Sequence, residues 1–533
     1  MDEAGKADSG QWPVASGQFR SDHWPLTTGH LILLAILLLA GGLRIARINY
    51  DSLSFDDQWH LELSTGRGSP HVRLPEDTFI ADAPDVTSLK GAPPFYKVWT
   101  NMDFVVHPPL YPTLLRLWRD VFGEGDVAAR SFSIACSLVA IALMYFAAKE
   151  FSGPVVATWA ALIWAVAPTQ VYLSQQVRGY PLLGALGMGA VWALAKLQNP
   201  SGRGGGRSSV ILGLCVLGMM LTHYFAIGAC AAIGVYVLIR LRGPALWNAL
   251  AALLVAGAVY LLAWGPYFRK QIPFFSATAD TWLVEHGPNH LLLTLGRLAT
   301  APWRLVIDYV GLGYSLALLA GVLFIVPVIL LRSRKDLLIW YLWLLGTIGF
   351  VGLLDATRST KHLVFSRYLS LGTPAVVMLV TLLVDQYKLL RHAAPAALVL
   401  AALGCSRLAY TSEGEPDWRP YGAAIDANVA AGETLIFYPG TQPPWHDEIL
   451  YLGAGHYSKG FPRPIIKLSR PAPLPLMRQI PGATAWLISG PLDHELAQLL
   501  PGAEVIGTPI LIPNLAILTH IRLNTPQYAD NLR

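Results

Sequence analysis

The chain has 533 residues, 53% of them hydrophobic and 14% charged, with a formal net charge of +5. A soluble protein of this size carries about 25% charged residues, so there is too little polar surface to cover the molecule in water, and lipid must cover part of it. A net charge this small gives no support to a nucleic-acid partner.

Crossing a hydrocarbon core takes about 20 apolar residues of helix. Residues 1–28 are mostly polar and read as a cytoplasmic N-terminal segment. Apolar runs follow near 29–48, 130–148, 154–171, 180–197, 209–223, 225–240, 246–265, 313–331, 337–354, 368–384 and 393–409. The first ends in Arg44 and Arg47 with no small-residue cleavage site, so it reads as a retained span and not as a signal peptide. The cysteines (Cys136, Cys215, Cys230, Cys405) fall inside apolar runs and read as core residues, with no disulfide framework.

Lysine and arginine in the short loops set orientation. With the N-terminus inside, the inner loops hold Lys149, Lys196, Arg203, Arg207, Arg240, Arg242, Arg332, Arg334, Lys335, Lys388 and Arg391. The outer short loops hold only Arg178, Arg358, Lys361 and Arg367. The expected fold is a polytopic α-helical membrane protein with about eleven transmembrane helices over 29–409. Outer loops span 49–129 and 266–312, the second with a surface helix. An odd helix count puts the tail, 410–533, outside. Its helix-like stretches (420–430, 475–480, 493–500) alternate with strand-like ones (433–438, 484–489, 503–512, 515–522), which predicts a soluble α/β domain.

The residues that can carry chemistry gather on the outer side. SLSFDDQWH follows the first run and places Asp56 and Asp57 at headgroup depth. The plain reading is a solvated turn; the functional one is an acid–base or metal site, with the two carboxylates in an irregular segment. HPPLYPTLLRLWRDVFG predicts an amphipathic interfacial helix that starts at its prolines, with His107 just before it. Arg178, after the third span, is either a snorkelling anchor or an anion ligand. His223 sits between the fifth and sixth runs, as a core histidine or a site residue. Arg358, Lys361, His362 and Arg367 crowd one short outer loop against the orientation trend, as an anion site would. Acids and cations at an interface suit a substrate with one end in lipid and a phosphate at headgroup level.

Five motifs, FDDQW (55–59), HPPLY (107–111), LSQQVRGY (173–180), THYF (222–225) and RYLSLGTP (367–374), occur in the order and spacing of the GT-C superfamily of membrane glycosyltransferases. The chain resembles most the glycosyltransferase 39-like group, with protein mannosyltransferases, the aminoarabinose lipid A transferase and rhizobial galacturonosyltransferases as relatives. The resemblance covers roughly residues 28–384. It departs at Asp57, where the family has Glu, and at Gln176, where a family Glu becomes an amide that cannot act as a base.

What the resemblance implies is an inverting hexosyl- or pentosyltransferase of the bacterial inner membrane. Its donor is a polyprenyl-phosphate-linked sugar and its acceptor an envelope lipid, glycan or protein. Asp56 becomes the general base, and Asp57 supports it or binds a divalent metal ion. His107, Arg178, His223, Lys361, His362 and Arg367 become substrate-binding residues. The tail becomes a periplasmic domain. A transporter or flippase is the first rival reading, but no repeat and no midplane charge supports it. A non-catalytic membrane scaffold is the second.

Overall fold

The computed structural model describes residues 26–523 except 199–204, 286, 308–312, 332, 412–415, 440–445, 462, 470–473, 491–498 and 501. Among the described residues, seven helices are long and apolar enough to cross a membrane. An eighth crossing is made if the pair Pro154–Val166 and Pro168–Ser174, bent by 61°, counts as one span. Ala226–Arg240 and Leu390–Ser406 are shorter apolar helices, and Gly313–Leu330 is helical as well. Each apolar run of the sequence therefore coincides with a helix. The expected N-terminal segment, Arg203 and Arg332, and most of the 493–500 stretch lie outside the described residues.

Two details show how the bundle tolerates its irregularities. The bent pair breaks at Ala167–Pro168, because proline cannot donate to the preceding turn. Arg44, buried at the end of the first span, donates to the Ala165 carbonyl at 2.8 Å and to Ser137 Oγ at 2.9 Å. The guanidinium thus serves backbone that hydrocarbon would leave unsatisfied. Elsewhere, Ala226–Arg240 crosses the Leu338–Arg358 segment at Gly228 and Gly346, where a Cβ on either glycine would collide with the other's carbonyl oxygen. Small residues let two membrane helices approach this closely. Over Leu345–Gly349 the second helix widens to a π turn.

The tail and the first loop share a sheet whose strands are β1 (Phe79–Ile80), β2 (Thr434–Tyr438), β3 (Ile465–Lys467), β4 (Thr484–Ser489), β5 (Ala503–Val505), β6 (Ile510–Ile512) and β7 (Ala516–Leu523). Their order is β1-β3-β2-β4-β7-β5, with β6 also on β7. β2 pairs in parallel with β3 and β4, and β7 runs antiparallel to β4. Helices Trp418–Asn428 and His446–Tyr457 pack against one face through Trp418, Tyr421, Leu450 and Tyr451. β1 comes from the first loop and pairs antiparallel with β3. The sequence predicted β2, β4, β5–β6 and β7, but not β3, β1 or the His446–Tyr457 helix.

The first loop and the tail thus share a sheet and a core at one end of the bundle. They also meet over the strap 48–54 that leads to Asp56. Arg130 donates to the carbonyls of Ile48, Asp51 and Ser52 at 2.7–2.9 Å. From the tail, Arg419 donates to the carbonyls of Asn49, Tyr50 and Asp51 at 2.9–3.2 Å. Tyr457 Oη accepts the Leu53 N–H at 2.6 Å and donates to Asp126 Oδ2 at 3.0 Å. Arg419→Ala leaves the Asn49 and Tyr50 carbonyls to water, while Asp51 keeps Arg130, and is expected to cost about 1 kcal/mol. The check is a lower thermal midpoint together with faster proteolysis within 48–54.

Candidate active site

The site is built on the N-terminus of the helix Phe55–Ser64, so Asp56 and Asp57 lie in a helical first turn and not in an irregular segment. The reason is local. Ser54 caps the helix by accepting the Asp57 N–H at 3.3 Å, and Asp57 Oδ2 accepts the Ser54 N–H at 3.2 Å. This reciprocal capping box satisfies two donors at the helix start. The other oxygen, Asp57 Oδ1, accepts the Val177 N–H at 2.8 Å. Both oxygens of this buried carboxylate are therefore spent on backbone, and burial pushes Asp57 above the ordinary carboxylate value. Asp57 ties the helix to the turn that carries Arg178.

Asp56 faces the other way. Its Oδ2 lies 2.6 Å from Arg178 Nη1 and accepts from Arg367 Nη1 at 3.0 Å. Burial by itself would raise this carboxyl, but Arg178 and Arg367 outweigh it and hold Asp56 below its ordinary value. Among the described residues Oδ1 has no protein partner, and the side chain is 32% exposed. One oxygen is locked to two cations and the other is open.

A row of rings lines the approach. His60, one turn after Asp56, donates from Nδ1 to the Asp56 carbonyl at 2.8 Å; a carbonyl only accepts, so the proton is on Nδ1. The His107 ring is 4.9 Å from His60 and 6.2 Å from His223. His223 in turn lies 5.6 Å from Tyr180 and 6.3 Å from Tyr368. Burial, then the Arg178 charge, pushes His60 down to about 3. His107 is held well below its usual range, chiefly by burial. Both are neutral near neutral pH.

His223 borders two hollows. A narrow crevice runs past Tyr180, Phe225, Arg367 and Tyr368. An apolar cavity of about 300 Å³ is walled by Met220, Tyr224, Ile227, Tyr260, Phe268 and Ile272. Tyr224 is held over it, because its hydroxyl is engaged by Gln271 and Trp264.

Asp56, Arg178, Arg367, His107 and His223 thus come together. Lys361 and His362 do not join the carboxylate. His362 Nδ1 is 2.8 Å from Asp355 Oδ1, and that buried aspartate also accepts the N–H groups of His362 and Leu363. His362 backs Tyr368 from the far side, with ring centroids 5.3 Å apart. Lys361 enters through its backbone, donating to the Leu283 carbonyl at 3.0 Å. Among the described residues its ammonium pairs with no carboxylate. Sequence reasoning passed over His60, Tyr180, Tyr368 and Asp355. The Ser-x-x-Asp spacing at 54–57, a capping signal, could have revealed the helix and hence His60 at i+4 from Asp56.

The donor set does not fit a metal ion. The Asp57 oxygens are saturated by N–H groups and Asp56 Oδ2 by guanidinium groups. Among the described residues no group of three or more His, Cys, Asp or Glu is placed to hold one.

Replacing Ser54 with Ala removes the cap and is expected to cost about 1 kcal/mol. Asp57→Asn turns an N–H donor toward another donor and is expected to cost about 1–3 kcal/mol. Both read out as lower thermal midpoints.

Residues 106–277 match the family model described as dolichyl-phosphate-mannose-protein mannosyltransferase. A comparison with curated proteins by sequence found no match. Among solved structures, the chain is similar to ArnT from Cupriavidus metallidurans in the apo state, with a TM-score of 0.57 and 15% identity over 93% of this chain and 98% of that one. The same protein bound to undecaprenyl phosphate gives a TM-score of 0.55 and 14% identity with the same coverage. The Archaeoglobus fulgidus oligosaccharyltransferase tethered with an acceptor peptide gives 0.47 and 12% over 87% and 69%. The chain is a multi-pass membrane protein with the GT-C glycosyltransferase fold.

Proposed function

We propose that the chain is a glycosyltransferase that moves a sugar from a polyprenyl-phosphate-linked donor to an envelope acceptor, on the outer face of a bacterial cytoplasmic membrane. One observation carries the reading: a carboxylate with one oxygen fixed by two arginines and the other open, beside an apolar cavity. The ArnT structure with undecaprenyl phosphate supplies the donor class.

In this reading the polyprenyl chain lies along the cavity of Ile227, Phe268 and Ile272, and the phosphate meets Arg178 and Arg367. The acceptor hydroxyl approaches Asp56 Oδ1. The carboxylate takes its proton as the acceptor oxygen bonds to the anomeric carbon. The bond from that carbon to the phosphate oxygen breaks, and polyprenyl phosphate leaves with the electron pair. Attack opposite the leaving group inverts the anomeric centre. Positive charge already in place stabilises the departing phosphate without reorganisation. Asp57 positions Asp56 and the Arg178 turn and takes no proton. His60, His107 and His223 stay neutral and form the wall against which sugar and phosphate pack. The tail completes the acceptor side and helps choose the acceptor.

The test is a transfer assay with extracted polyprenyl-phosphate sugars. Asp56→Asn is expected to lower the rate by about 10²–10⁴-fold, the usual contribution of a positioned base, per mole of folded protein, and to lower the thermal midpoint as well because Arg178 and Arg367 lose their counterion. Full activity in that variant overturns the assignment.

The pH profile carries a sign. Asp56 is held low, so its carboxylate form persists as pH falls to the ordinary value of 3.8 and is lost only below it. The acid limb of the rate therefore lies below 3.8. Arg367→Gln removes one of the two cations and is expected to move that limb upward while raising KM for the donor. An acid limb that does not move sinks the pairing as the source of the shift.

A further inference from the structure

The helices that assemble the Asp56 site end, at the opposite side of the bundle, around a second polar recess of about 230 Å³. Asp126–Ser152 alone has 27 residues, a rise of roughly 40 Å, and this length separates the two places. The recess is lined by Glu150, Gln198, Tyr236, Arg240, Lys335 and Asp336, which close the ends of four segments.

Its charges do not cancel. Glu150 is bound by Lys196. Asp336 is clamped by Arg334, through Nε at 3.0 Å and Nη2 at 2.8 Å. Both acids therefore have cations outside the recess lining. Arg240 and Lys335 remain, and among the described residues neither is paired with a carboxylate. Arg240 Nε is buried with no hydrogen-bond partner.

The ordinary duty of a last-turn arginine is to serve the carbonyls at its helix end. Here Arg242 does that, donating to the carbonyls of Leu238 and Leu241 at 3.1 and 2.7 Å. Arg240 lies instead beside the Tyr236 hydroxyl. That oxygen accepts from Gln198 Nε2 at 2.6 Å, so the phenol proton is left to give. The guanidinium and the ammonium line the recess with no carboxylate of their own, and the Tyr236 hydroxyl, whose oxygen takes Gln198 and Arg240, has its proton left to donate. They fit an anion with several oxygens, as the arginine fork does best.

The surface next to the recess is apolar. Val235, Leu238 and Ile239, on the last turns of the same helix, are 42%, 59% and 47% exposed. A free phosphate has no use for such a surface, whereas acyl chains cover it.

We infer that this recess binds the phosphate of an anionic phospholipid, one molecule per chain, from the leaflet at the end of the bundle away from Asp56. Arg240 and Lys335 hold the phosphate oxygens, Tyr236 donates to one of them, and the chains run along Val235, Leu238 and Ile239. The site is separate from the donor cavity and does not depend on the transfer reading.

The experiment is native mass spectrometry of the purified full chain with phosphatidylglycerol, phosphatidylcholine or inorganic phosphate added. Wild type is expected to retain one phosphatidylglycerol in preference to phosphatidylcholine. The double variant Arg240→Gln, Lys335→Gln is expected to lose that retention by tenfold or more, the order expected for about 1 kcal/mol from each headgroup cation. Its thermal midpoint in detergent and its sugar-transfer rate serve as folding controls, since neither residue lies near Asp56. Equal retention of phosphatidylglycerol by wild type and variant overturns the proposal, as does equal retention of phosphatidylcholine by wild type. Inorganic phosphate displacing phosphatidylglycerol from wild type gives the recess to a soluble phosphate and overturns the lipid assignment.

Discussion

The contact that everything else serves is Asp56 Oδ2 held between Arg178 and Arg367. Removing these charges from water is costly, and an isolated pair would barely break even. Two guanidinium groups on one oxygen change the balance, because each cation holds the carboxylate ionised for the other. The cluster carries an excess of positive charge. In the proposed reaction the donor phosphate meets cations that are already desolvated and aimed, which is the condition for strong electrostatic stabilisation of a leaving group.

Holding three chain segments to within a hydrogen bond demands a stiff frame. The capping box fixes the direction of the Phe55–Ser64 helix, and Asp57 Oδ1 joins it to Val177. Arg130 from the bundle grips the 48–54 strap from one side, while Arg419 and Tyr457 from the tail grip it from the other. Deeper in the loop, Glu62 and His71 form a fully buried pair under Phe55 and Trp59. The tail is therefore part of the site's support and not an ornament at the end of the chain. Its sheet takes β1 from the first loop, so loop and tail fold against one another.

The two adjacent aspartates have different uses, decided by direction alone. On a helix, neighbouring side chains point about 100° apart. Asp57 turns back to the backbone, and Asp56 turns out to the arginines. Among the described residues Gln176, where the resembled family has Glu, makes no hydrogen bond to Asp56; Arg178 and Arg367 orient that carboxylate. The cations of the 355–367 segment divide in the same way. Arg367 reaches the carboxylate, whereas His362 is consumed by Asp355 to shape the turn.

The sequence by itself marked the apolar helices, each expected run coinciding with one, because long apolar runs have no alternative fate in a chain this poor in charge. Among the described residues seven or eight of these helices are long and apolar enough to cross a membrane, against the eleven or so expected. It determined most of the tail's strands through alternation and turn residues. It also brought out Asp56, Arg178 and Arg367 as candidates, since acids and cations at span ends are rare enough to read. Only the tertiary structure decided which of them meet. Side-chain direction and long-range pairing depend on how helices cross, and local pattern does not encode that. So His60 beside Asp56, the Asp355–His362 pair, β1 joined to β3, and the unshared cations Arg240 and Lys335 at the far end all had to be seen in three dimensions.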